Sequence, residues 1–107
     1  MIEFPDFEKV QIITATITNA FVVKGSSKLI RLEIDDGSDV PRTILTGMAP
    51  WYMPNDFIGM KTLIVSNLKP RQMMGFESNG MLLSIDSPQK PILIRLSDEV
   101  ENGLPVC

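Results

Sequence analysis

The sequence predicts an all-β domain, a small barrel of five strands with one short helix between the third and the fourth. Three observations lead there. Apolar and polar residues alternate with period two along most of the chain. Clusters of Gly, Pro, Asn, Asp and Ser interrupt that alternation at short intervals, as turns between strands do. One stretch alone, Ala49 to Gly59, carries helix start and stop chemistry.

The elements follow in order. Val10 to Val23 is rich in Val, Ile and Thr and makes a first strand longer than the usual strand, so a bend is expected in it. Gly25-Ser26-Ser27 closes a hairpin. In KLIRLEID, Ile30, Leu32 and Ile34 face one way while Arg31, Glu33 and Asp35 face the other. That is a half-buried second strand, ended by the Asp36-Gly37 turn. Arg42 to Thr46 is the third strand. Pro54, followed by Asn55, Asp56, Phe57, Ile58 and a terminating Gly59, suits one or two helical turns. Trp51 and Tyr52, just before them, are expected to plug one end of the barrel, with base stacking as the alternative. Lys61 to Asn67 is mostly apolar and therefore central, and Met81 to Ile85 is the fifth strand. Ile92 to Leu96 is a sixth, shorter segment after the loop that holds Pro88 and Pro91. This pattern matches the five-stranded barrel of the oligonucleotide/oligosaccharide-binding (OB) fold, with a small sandwich as the alternative.

Composition bounds the function. A chain of 107 residues suits one domain with one core. The absence of histidine removes the commonest general base and metal ligand, and with it any Ser-His-Asp or Cys-His arrangement. No cysteine cluster, P-loop or GxGxxG is present, so no metal or cofactor is implied. The carboxylate pairs Asp35-Asp36 and Asp98-Glu99 lie at a glycine turn and in a polar tail, where solvated groups are expected. A non-enzyme is the reading these facts favour. No apolar run approaches the roughly 18 residues that span a bilayer. MIEFPDFEK has early acids and no apolar core, unlike a signal peptide. The one cysteine, Cys107, makes no internal disulfide, and a cytoplasmic setting is expected.

The charge distribution singles out one segment. Net charge is −3, which argues against a nucleic-acid partner, yet the acids cluster at Glu3–Glu8, Glu33–Asp39 and Asp98–Glu101. From Phe57 to Phe76 there are Lys61, Lys69 and Arg71 and no acid. NLKPRQMMGFESNGM, Asn67 to Met81, is thus a locally basic, methionine-rich loop. Lys69 and Arg71 suit phosphates, Met73 and Met74 suit a ribose or base face, and Ser78 and Asn79 suit a phosphate or 2′-hydroxyl. Each also has a plainer reading, as a solvated rim, a filled barrel mouth or a turn cap.

The same segment, extended to NLKPRQMMGFESNGMLL, resembles the signature loop of the tRNA-binding domain at the C-terminus of many methionyl-tRNA synthetases. That domain also occurs in free-standing tRNA-binding proteins and in the cytokine-like polypeptide of animal synthetase complexes. FEKVQIITATI resembles the opening of that family, GSSKLIRLEIDDG its second strand and turn, and RTILTGMAPWYMPNDFIGMK the stretch from its third strand into its fourth. The likeness is collinear from about Phe7 to Leu83. It implies a barrel over about residues 7–86, a C-terminal extension over about 87–107, and a single tRNA-binding domain across 1–107. It implies recognition of tRNA by shape and backbone, without catalysis, with methionyl-tRNA synthetase as a partner in some members, and no membrane partner. Carried onto matching positions, the candidates for RNA contact are Asn67, Lys69, Arg71, Ser78 and Met81, with Lys28 and Arg42 on neighbouring strands behind them.

The sequence departs from the family at several points. Gln11 and Ile13 stand where an Asp and an Arg are usual, and Gln72 and Met74 replace positions that are often basic. The first hairpin lacks the His or Asp of many members. Fewer positive charges imply weaker binding. Ile92, Leu93, Ile94, Leu96, Val100, Leu104 and Val106 give the last segment more apolar surface than a covering tail needs. A homodimer through that segment is expected, with a strand that closes the chain's own barrel as the alternative. A related branch resembles peptide-binding secretion chaperones, and the acidic charge with Met73, Met74 and Phe76 keeps that second function open. The Met1 start and the end near residue 107 favour a free-standing protein or separate subunit.

Overall fold

The computed structural model describes residues 1–107. Five strands form one antiparallel sheet: β1 (Ile12–Val22), β2 (Ile30–Asp35), β3 (Arg42–Thr46), β4 (Lys61–Val65) and β7 (Met81–Leu82), in the order β3-β2-β1-β4-β7. β1 is long enough to serve two partners. Its first half pairs with β4, Ile12 to Thr16 against Val65 to Lys61, and its second half pairs with β2 up to Val22↔Ile30. A register shift between Ile17 and Asn19 bends it from one partner to the other, the bend its length required. The sheet curls nearly closed. The Asn79 amide donates to the Thr43 carbonyl at 2.8 Å, and the Leu45 amide donates to Ser78 Oγ at 3.0 Å, joining the fifth strand's approach to β3.

Period two fixes what lies inside. Ile30, Leu32 and Ile34 of β2 are buried with Ala15, Ile17, Ile44, Ile64 and Leu82. The seven Ile and Leu side chains among them, each stabilising by roughly 1.5–3 kcal/mol on full burial, give this small barrel its main driving force. The short helix is a 3-10 turn at Pro54–Asp56, between β3 and β4 as expected. It drops Phe57 fully into the core, where Tyr52 meets it edge-on at 5.9 Å between ring centres. Tyr52 Oη then donates to the Pro91 carbonyl at 2.6 Å. Trp51 does not plug the barrel as expected. It is 47% exposed, because Phe57 and Tyr52 already fill that end.

Three further differences from the sequence reading have simple causes. A short helix, α1 (Phe4–Glu8), precedes β1, and five residues are too few to show a helical period. The long loop between β4 and β7 contains a hairpin, β5 (Arg71–Met73) with β6 (Phe76–Ser78). The expected Met81–Ile85 and Ile92–Leu96 segments become β7 and a second small hairpin, β8 (Ser84–Asp86) with β9 (Pro91–Leu93). No helix is long and apolar enough to cross a membrane.

The last residues return along β1. Gly103 N donates to the Thr14 carbonyl at 2.7 Å, Thr14 N to the Leu104 carbonyl at 3.0 Å, and Val106 N to the Ile12 carbonyl at 2.9 Å. Thr14 Oγ1 donates to the Glu101 carbonyl at 2.6 Å. The tail therefore occupies the side of β1's first half that β2 leaves free. The tail thus covers part of its own barrel, while Leu104 and Val106 stay 42% and 39% exposed.

Candidate nucleic-acid interface

Two loops meet at one rim of the barrel. The first joins β1 to β2 over residues 23–29. The second joins β4 to β7 over residues 66–80 and carries the β5–β6 hairpin. Met73 pairs with Phe76, so Met74 and Gly75 form a two-residue turn with φ of 51° and 84°. Positive φ at both central positions is the primed hairpin turn, which usually takes Asn-Gly. Methionine in that place puts an apolar tip on the hairpin, and the tip reaches the first loop. A Cβ on Gly25 would lie 3.3 Å from the Met74 methyl carbon. In an OB-type barrel these are the two loops that border the ligand face.

The expected site residues divide into two groups. The first group is held by the protein itself. Arg42 donates through Nε to Asp36 Oδ2 at 3.0 Å, and its Nη2 lies 3.0 Å from the same oxygen. Its Nη1 donates to the Ser66 carbonyl at 2.8 Å and to the Asn79 carbonyl at 3.0 Å. Ser66 and Asn79 are the two ends of the long loop, so one guanidinium clamps both. Asn67 accepts from the Gln11 amide at 2.8 Å and donates to the Lys9 carbonyl at 2.7 Å, tying the chain before β1 to the loop's start. Ser78 is 4% exposed, and its hydroxyl is the seal to Leu45 already described. These three side chains frame the loop.

The second group is free. The side chains of Lys69 and Arg71 on the long loop and of Lys28 on the first loop are exposed and have no hydrogen bond or ion pair to protein. Met81 is 47% exposed at the start of β7. Lys24, which the sequence reading passed over, joins them. It brackets the same turn as Lys28, in KGSSK, and that spacing was its signal. Every other cation has a partner. Lys9 meets Asp6, Arg31 meets Glu33, and Arg42 meets Asp36. Lys61 and Arg95 donate to the Val100 and Asp56 carbonyls, and Lys90 lies 5.3 Å from the Tyr52 ring centre. The four unpartnered cations of this acidic chain are thus all on the two rim loops. The one carboxylate of the hairpin, Glu77, accepts from Gln72 Nε2 at 3.3 Å.

Asp36 departs from the solvated turn the sequence suggested. Its side chain is 8% exposed. Burial alone would raise its pKa. The Ser38 hydroxyl and amide, at 2.6 and 2.9 Å, and the Arg42 guanidinium outweigh that effect and hold the carboxyl below its ordinary 3.8. The remaining new feature is a stack. The Arg31 guanidinium carbon lies 4.2 Å from the Phe21 ring centre and 4.8 Å from that of Phe76, linking the barrel wall to the hairpin.

A five-stranded barrel with its free positive charge gathered on these two loops defines a binding module for an anionic chain, of the oligonucleotide-binding class. The comparisons with known proteins place it more closely. The family model described as "Putative tRNA binding domain" matches residues 12–105, and the chain belongs to that family. It is 41% identical over 102 residues to the methionine–tRNA ligase of Caldanaerobacter subterraneus, a match that covers 95% of this chain and 16% of that protein. The chain thus spans about a sixth of the length of that relative. A MetRS-related protein from Pyrococcus horikoshii superimposes with a TM-score of 0.94 at 35% identity, covering 100% of this chain and 98% of that one. The chaperone CsaA of Bacillus anthracis superimposes at 0.85 with 28% identity, covering 100% and 99%.

Proposed function

We propose that the chain is a non-catalytic module that holds tRNA by shape and backbone, with Lys69, Arg71, Lys28 and Lys24 as its phosphate contacts. The observation that carries this is the gathering of all four unpartnered cations on the two loops of an acidic protein. Asn67, Ser78 and Arg42 act by fixing the loop that presents Lys69 and Arg71, and Met81 shapes the groove beside it. Phosphate contacts position a ligand and read no sequence. Binding is therefore similar across different tRNAs and poor for a short duplex without the L-shaped corner. A gel shift with bulk tRNA, a short duplex and an unfolded polypeptide tests this. The tRNA retarded and the other two not is the expected result. Capture of the polypeptide in preference to tRNA would move the assignment to the chaperone-like reading, which the likeness to CsaA supports. Supply of tRNA to a methionyl-tRNA synthetase, in the cytoplasm, is the setting proposed from the relatives.

Arg71→Ala gives the simplest single test. Arg71 is exposed with no protein partner, so its loss leaves thermal unfolding where it was. It weakens tRNA binding and flattens the log–log salt slope by about one unit. A sharp fall in the unfolding midpoint would make Arg71 structural instead.

The module is also proposed to be a homodimer. Met1, Ile2 and Phe4 are 127%, 71% and 69% exposed, an apolar arm with nothing to cover it. Beside it, Phe4, Phe7, Val10, Ile13, Pro105 and Val106 line a groove of about 420 Å³ between α1 and the tail. A second copy would cover this surface, so the interface would use the outer side of the tail together with the N-terminal arm. Light scattering at micromolar concentration is expected to give about twice 11.9 kDa, and a mass of 11.9 kDa would contradict it.

A further inference from the structure

Phe76 is placed oddly for a residue with only a packing role. It stands on β6 in the rim hairpin, and one side of its ring meets Arg31 of β2 at 4.8 Å. Arg31 is in turn seated on Phe21 of β1 at 4.2 Å and lies opposite Phe21 in the β1–β2 register. Its Nη1 donates to Glu33 Oε1 at 3.4 Å, so the guanidinium is held from three sides and is not free for a phosphate. The stack fixes where Phe76 sits, yet Phe76 remains 38% exposed. The Met74 tip beside it is 51% exposed. The free cations belong to the same two loops, Lys24 and Lys28 on the first, Lys69 and Arg71 on the second. A fixed aromatic ring on a loop that carries free cations is an arrangement that takes single-stranded nucleic acid, the ring receiving a base face while the cations take the backbone.

We propose that the exposed ring of Phe76, fixed by Arg31 and Phe21, is a stacking site for one unpaired nucleobase of the bound tRNA. The inference rests on the tRNA-binding reading and adds to it a contact that no phosphate makes. Bases within a duplex hide their faces, so the site selects RNA with an unstacked base and helps to reject a plain duplex. It stays tolerant of sequence, because every base offers a π face. Arg31 is a positioning residue here. It touches the ring and not the base.

Titration of tRNA with the full chain and three variants tests this. Phe76→Leu keeps apolar bulk and removes the π face. It should weaken tRNA binding by about five-fold or more, the low end for one stacked base. The salt slope should stay unchanged, because stacking releases no counterions. Phe76→Tyr should bind as the unaltered chain does. Phe76→Trp, made together with Trp51→Phe so that it is the only indole, should lose fluorescence on tRNA addition. Phe76→Leu binding with unaltered affinity, or an unquenched indole at saturation, overturns the stacking site while the tRNA reading stands. If Phe76→Leu does not fold, the indole signal and Phe76→Tyr decide the matter. Phe76→Leu losing only the capture of an unfolded polypeptide would give the ring to a peptide and overturn the proposal. An unaltered chain that binds no tRNA overturns both.

Discussion

Replacing Lys24, Lys28, Lys69 and Arg71 together by glutamine should abolish tRNA binding at physiological salt and leave the fold intact. The argument is one of charge and place. These four are the cations without protein partners, so removing them breaks no hydrogen bond or ion pair. Each phosphate contact adds about 0.7–0.9 to the dependence of log affinity on log salt. At 0.15 M that amounts to roughly two to three orders of magnitude for four contacts. Net charge falls from −3 to −7, which adds repulsion from the remaining body. Filter binding or a gel shift reads the affinity, and circular dichroism confirms the fold. Retained binding would place the interface elsewhere on the protein.

Arg42→Ala should produce the largest loss of stability of any single change at this site. Arg42 and Asp36 are 15% and 8% exposed, and removing one member of a buried pair leaves the other charge uncompensated, at a cost of about 3 kcal/mol. For a domain of this size that lowers the unfolding midpoint by roughly 10 °C or more. Arg42→Lys should not rescue it, because an ammonium cannot reach Asp36, Ser66 and Asn79 with one planar fork. The pH dependence has a definite sign. The folded pKa of Asp36 lies below the ordinary 3.8, so its contribution is fully present above that value and is lost as pH falls through the folded pKa. The difference between the unaltered chain and Arg42→Ala should therefore hold at neutral pH and narrow below pH 3.8. A midpoint shift of only a degree or two at pH 7 would show that the clamp contributes little.

The barrel was legible because its information is local. KLIRLEID states its own alternation, and the structure buries Ile30, Leu32 and Ile34 as that pattern demands. Pro54 opens the helical turn by its fixed backbone angle, although the turn closes at Asp56, before the Gly59 expected to end it. The split of the site into frame and free residues is not local. Serine, asparagine and arginine serve equally as contacts or as framework. What decides between them is partners 33 residues from Ser78, 56 from Asn67, and 24 and 37 from Arg42. No pattern within the loop encodes those distances. The hairpin was hidden because Met74-Gly75 does the work usually signalled by Asn-Gly. The Phe21–Arg31–Phe76 stack depends on strand register and on how the loop folds back, and neither is visible in one segment. The tail's return along β1 likewise follows from the side of β1 that β2 leaves open.

The account turns on four cations holding an anionic backbone, and the salt dependence of the unaltered chain measures that most directly. Titration of bulk tRNA at several salt concentrations should give a log–log slope of about −3 to −4 per protomer engaged. Each single substitution among Lys24, Lys28, Lys69 and Arg71 should make it shallower by about one unit. A slope near zero, or one that Arg71→Ala does not change, would contradict the assignment of this rim as the surface that holds tRNA.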